Sequence, residues 1–133
     1  IADTLGELGL FYRLASVTFV GGSLVEIGGH NPLEPARLGA AILLGPYIFN
    51  FAEVCQTLRA AGGAYHVQDA ESLAKAVWAL LDDPPLRAQM IDAAARVAVS
   101  ETQVLDQVLA ALEPLIADAE MFKPEGISGH ASP

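Results

Sequence analysis

The chain has 133 residues, 53% of them apolar, enough for one domain with a real core. A formal charge of −9 argues against a nucleic-acid partner, since nothing would neutralise phosphates, and disfavours adsorption to an anionic membrane. The lone Cys55 excludes an internal disulfide or a Cys-rich metal site. No run reaches the roughly 18 apolar residues of a bilayer span, and no signal peptide is visible. A soluble intracellular domain is expected.

Thr4-x-x-Glu7 has the form of a capping box, with Leu5, Leu8, Phe11, Tyr12 and Leu14 on one helical face behind it. Gly6 and Gly9 each cost such a helix about 1 kcal/mol, which implies close packing there. Residues 16–20 predict a buried strand, followed by a glycine-rich loop and a short helix over 32–38, with Gly39 as its C-cap. Residues 41–44 predict a second buried strand, stopped by Gly45-Pro46. A helix over 51–61 follows, capped by Asn50 and ended by Gly62-Gly63, then a third strand over 64–67.

The rest reads as helix. Asp69 or Ser72 caps one with Leu73, Val77, Leu80 and Leu81 at core spacing and Trp78 beside them. Pro84-Pro85 breaks it, a second amphipathic helix runs from Leu86 to about Val99, and a third from about Glu101 to Ile116. The third carries Val104, Leu105, Val108, Leu109, Leu112 and Leu115 as its stripe. Residues 118–133 lack periodicity and are expected as a disordered tail.

Alternating strands and helices predict an α/β fold, a Rossmann-like parallel sheet flanked by helices. Only three strands are visible and the chain opens at Ile1 on a patterned segment. The expectation is a piece of a longer protein, with its N-terminal strands missing.

The function is expected in GGSLVEIGGHNPLEP, residues 21–35, where a strand leads through paired glycines into a helix start. Such a loop brings backbone N–H groups close to an anion, or it is an ordinary turn that needs glycine for its dihedrals. Asn31 suits an N-cap and Pro32 the N1 position. Glu34 would project from the first turn, either toward a sugar hydroxyl or as a carboxylate stabilised by the helix dipole. His30 reads as a structural loop residue or a ligand contact rather than a catalyst, since no partner carboxylate is identifiable. Asp82-Asp83 and the acidic residues 118–120 match no metal-ligand spacing and read as solvated surface. His66 and His130 lack companions as ligands. Trp78 is expected in the core, and Cys55 buried and inert.

The stretches 3–8 with Phe11-Tyr12, 19–25 and 28–36 together resemble the Kdo transferases of lipopolysaccharide synthesis. Gly45-Pro46 with Asn50-Phe51, the Asp69-Ala70 helix start and the break over 81–84 fit the same pattern, so the likeness covers about residues 3–117. It implies the C-terminal, donor-binding half of a GT-B glycosyltransferase. Such an enzyme transfers Kdo from CMP-Kdo to a lipid A precursor with inversion, using no cofactor and no metal at the reaction step.

The resemblance also implies where the donor is held. The CMP phosphate would meet Gly22, Gly28, Gly29, His30 and Asn31, and Glu34 would accept from the ribose. Ser23 would donate to the phosphate or the Kdo carboxylate, or simply cap a turn. Thr4, Gly6 and Glu7 would lie on the opening helix, with Glu7 near the nucleotide or closing the capping box. The general base and the acceptor site would belong to an N-terminal half outside this sequence. The chain would therefore bind donor and catalyse nothing, and its parent would work at the cytoplasmic face of the bacterial inner membrane. Where the family carries an Asn before its last helix, this chain has Ser100-Glu101-Thr102-Gln103, so no ligand contact is carried over from there.

Two competing readings remain. One is the donor half of another GT-B transferase using a UDP- or ADP-sugar. The other is a non-catalytic interaction module. A dimer formed through an artificially exposed face is a further expectation for an isolated half.

Overall fold

The apolar run Ala41–Leu44 is the central strand, β2, of a three-stranded parallel sheet. The computed structural model describes residues 6–121, without the side chains at 104–107 and 115–121. Strand β1 (Val17–Phe19) pairs with β2 in the register Thr18 to Ile42, and β3 (Ala64–His66) pairs on the other side, Leu43 to Tyr65. All of β2 is buried, as expected of a parallel strand covered on both faces.

Alternation along β2 splits the core into two layers. Ile42 and Leu44 face a layer with Ala36, Cys55, Leu58, Ala94 and Val97. Ala41 and Leu43 face another with Val67, Ala76, Leu80 and Met90. The helices supplying these layers are α2 (Leu33–Arg37), α3 (Ala52–Ala60), α4 (Ala70–Asp82) and α5 (Pro84–Met121). Each fully buried Ile or Leu of β2 contributes about 1.5–3 kcal/mol by leaving water. This sheet fixes where the loops at its strand ends can stand.

The chain divides into two units, Ile1–Glu101 and Thr102–Pro133. The expected break near Ser100 is absent, and α5 continues through it. Residues 86–113 hold no Gly or Pro, so nothing in them removes a backbone donor or favours a turn. In the second unit Val108, Leu109 and Leu112 are exposed. Residues 118–121, expected in the tail, belong to α5, and 122–133 lie outside the described residues.

The capping of α4 matches its sequence. The Asp69 carboxylate accepts from the Ser72 N–H at 2.7 Å, and the Ser72 hydroxyl accepts from the Asp69 N–H. Trp78 corrects the expectation, because the ring is 73% exposed while Ala76 and Leu80 supply the buried side of α4. Trp78 stands two residues, about 200° of helix rotation, from both Ala76 and Leu80, which turns the indole away from the sheet. Iodide should therefore quench this sole tryptophan nearly as well in the native chain as in urea. Strong protection would place the ring in a contact.

Cys55 is buried, and burial pushes its thiol up to about 11, against a smaller opposite effect of Arg59. Iodoacetamide should label it only on unfolding. The sign for stability follows. The folded chain keeps the proton above the ordinary value of 9.0, so this contribution is lost as pH rises from about 9 to about 11.

The opening helix, α1 (Leu8–Leu14), also departs from expectation. Glu7 stands at its N-cap rather than its third position and makes no capping bond through its side chain, because Gly6 at φ +87° interrupts the helix before it. Thr4 lies outside the described residues. The apolar stripe is not a buried face, since Leu8, Phe11 and Leu14 are exposed. Instead α1 approaches α2 through Gly9, where an added Cβ would come within 3.8 Å of Leu38 and 4.0 Å of the Glu34 carboxylate.

Candidate functional site

Beyond β1 the chain makes a loop whose two ends are joined, the His30 N–H donating to Gly21 O at 3.1 Å. The segment after β2 backs this loop. Gly45 N–H donates to the Ser23 hydroxyl at 2.9 Å, and Tyr47 N–H donates to Ser23 O at 2.9 Å. Ser23 is fully buried, and its own proton goes to Val20 O. That corrects the expectation of a phosphate-donating serine, because the hydroxyl has no second proton to give.

Asn50 corrects another. No helix is capped by it; α3 begins after a 3-10 turn over Phe49–Phe51. Its backbone N–H donates to Gly28 O at 3.1 Å, while its amide donates to Ile27 O at 3.0 Å and Gly29 O at 3.3 Å. Two of these carbonyls take their donors from the side-chain NH2, which leaves the amide serving the loop rather than capping with its oxygen, and the third takes the backbone N–H. Gly28 and Gly29 are buried, at φ +98° and +73°. A Cβ on Gly28 would stand 2.5 Å from Phe49 and 2.6 Å from the Asn50 amide, so glycine is required by space as well as by dihedral.

On the outer side of the loop lies a cleft of about 490 Å³ lined by Leu8, Tyr12, Thr18, Val20, Gly21, His30, Asn31 and Glu34. That size falls within the usual range for small-ligand sites, and the cleft opens at the carboxyl end of a parallel strand. Asn31 corrects a further expectation, because Pro32 is the N-cap of α2 and Asn31 stands one residue before it, its carboxamide oxygen accepting from Leu33 N–H at 2.9 Å. Helix α2 has only five residues, so its dipole is small and the loop carries most of any preference for an anion.

The structure thus brings His30, Asn31 and Glu34 together on one cleft. Gly22 lies partly buried beside His30, Gly28 and Gly29 lie behind as the turn, and Gly6 and Glu7 precede α1. Among the described residues no group of acids, histidines and cysteine could hold a metal ion. Tyr12 and Thr18 are cleft residues that the sequence reading passed over. Burial, and then the Glu34 charge, raise the pKa of the Tyr12 hydroxyl above its ordinary value. The signal was a hydroxyl-bearing residue within an aliphatic stripe, since buried tyrosine oxygens seek partners.

No family model matches the chain. It is 37% identical over 117 residues to the 3-deoxy-D-manno-octulosonic acid transferase of Haemophilus influenzae and 34% identical over 113 to that of Bordetella pertussis. Those matches cover 87% and 85% of this chain but only 27% and 26% of the relatives, so the chain spans about a quarter of their length. Among solved structures, the C-terminal CMP-Kdo binding domain of WaaA from Acinetobacter baumannii superposes with a TM-score of 0.69 at 39% identity. That match covers 72% of this chain and 50% of the other. By sequence and fold, the chain is a homologue of the Kdo transferases and shares the architecture of the C-terminal domain of these GT-B glycosyltransferases.

Proposed function

We propose that this chain is the donor-binding half of an inverting glycosyltransferase that moves Kdo from CMP-Kdo to a lipid A precursor. Its likeness to the CMP-Kdo binding domain of WaaA carries the reading. The cleft supports it, joining a glycine loop to one carboxylate at the end of a parallel strand. In this reading residues 1–117 are the donor domain.

In this reading His30, Asn31 and the backbone of Gly22, Gly28 and Gly29 meet the CMP phosphate, while Glu34 accepts from the ribose hydroxyls. Gly6 and Glu7, just before α1, are further donor contacts in this reading, as is Thr4. As an acceptor hydroxyl attacks the anomeric carbon, the bond to the phosphate oxygen breaks and negative charge stays on CMP. Fixed N–H donors stabilise that charge without reorganising. The hydroxyl proton passes to a base outside this chain, so the chain alone holds donor without transferring it. The acceptor surface and the inner-membrane location belong to the parent protein.

Competition among CMP, UMP and UDP for the chain tests the class of donor. CMP should bind most tightly. Preference for UDP would assign another GT-B donor, and indifference to all three would favour an interaction module.

A further inference from the structure

Resting on that reading, we infer that Asn50 is a positioning residue that aims the peptide planes of the glycine loop at the ligand. Ile27 O, Gly28 O and Gly29 O all receive hydrogen bonds from Asn50. The chain has no cis peptide among its described residues, and in a trans peptide the N–H points opposite to the carbonyl. Fixing those three carbonyls therefore turns the N–H groups of Gly28, Gly29 and His30 away from Asn50. The His30 N–H so turned is taken by the carbonyl of Gly21, a residue of the cleft, which leaves the Gly28 and Gly29 N–H groups as the ones offered to the ligand. With φ at +98° and +73°, the two glycines have no side chain to hold their planes in place. Asn50 sets them from behind, without touching the ligand.

The clasp at Ser23 anchors the front of the loop, and beside the His30–Gly21 bond it is Asn50 that holds the glycine end. Both carbonyls reached by the Asn50 side chain are acceptors only, so the amide must present its NH2 to them. An isosteric aspartate would lose both donors and face those carbonyls with like partial charge.

The test compares Asn50→Ala and Asn50→Asp with the wild-type chain by amide hydrogen exchange and CMP titration. Both variants should speed exchange at Gly28 and His30, whose peptide planes the side chain holds, while leaving the β2 amides slow, and both should weaken CMP binding about tenfold or more, the scale of lost charge-assisted hydrogen bonds. Weakening by Asp alone would reflect its charge and overturn the inference. Unchanged loop exchange in Asn50→Ala would also overturn it, whatever the ligand does, and so would a loosened loop with unchanged affinity. Should the variants unfold, shown by fast exchange in β2, Asn50→Ser at lower temperature gives the same comparison. Failure of wild type to bind CMP would sink the functional reading, while loop exchange alone would still decide whether Asn50 is the lock.

Discussion

Replacing Gly45 with alanine should destabilise the chain by about 3 kcal/mol, the upper end for forcing atoms into a packed interior. A Cβ at this position would lie 2.1 Å from Ser23 O and 2.4 Å from its carbonyl carbon. Both are backbone atoms, so no side-chain rotation relieves the clash. The damage should also reach the site. Gly45 N–H holds the Ser23 hydroxyl, and any separation of the two strands breaks that bond and frees the front of the glycine loop. Urea unfolding measures the first effect, and amide shifts over 21–30 measure the second. A loss under about 1 kcal/mol with unmoved loop amides would mean that the two segments are not locked together.

Glu34→Gln should weaken CMP binding by about 1–3 kcal/mol, roughly a factor of five to a hundred and fifty, because a charged acceptor of the ribose hydroxyls becomes a weaker neutral one. Glu34 is exposed on the cleft rim in the first turn of α2, so the substitution leaves the core alone. A cycle with 2′,3′-dideoxy-CMP makes the assignment specific. Removing the carboxylate and removing the hydroxyls should cost far less together than the sum of each alone. Fully additive losses, or none for Glu34→Gln, would take this residue off the ribose.

The central strand was legible because its four apolar residues sit between clear stops, Gly39 and Gly45-Pro46. The cap at Asp69 was legible for a similar reason, since the short polar side chains that close it are neighbours in sequence. Long-range demands were not legible. Asn50 looked like a cap because local pattern favours that use, yet three loop carbonyls distant in sequence claim it. Ser23 looked available because nothing local shows that Gly45 folds onto it. Trp78 looked buried because periodicity gives a face but not which part of that face meets the sheet. The helix break near Ser100 was expected where the chain offers no breaker at all. His30, Asn31 and Glu34, named from spacing and resemblance, share one cleft, while Tyr12 and Thr18 join its lining only once α1 and β1 stand side by side.

Titrating the chain with CMP while following backbone amide shifts, with UMP as control, tests the donor-site claim most directly. The predicted result is a set of shifts confined to 21–34 and the start of α1, larger for CMP than for UMP. Millimolar affinity, about 4 kcal/mol, is enough to register it. Shifts centred instead on the hollow around Arg59, Tyr65 and His66, or equal responses to CMP and UMP across the surface, would contradict the account.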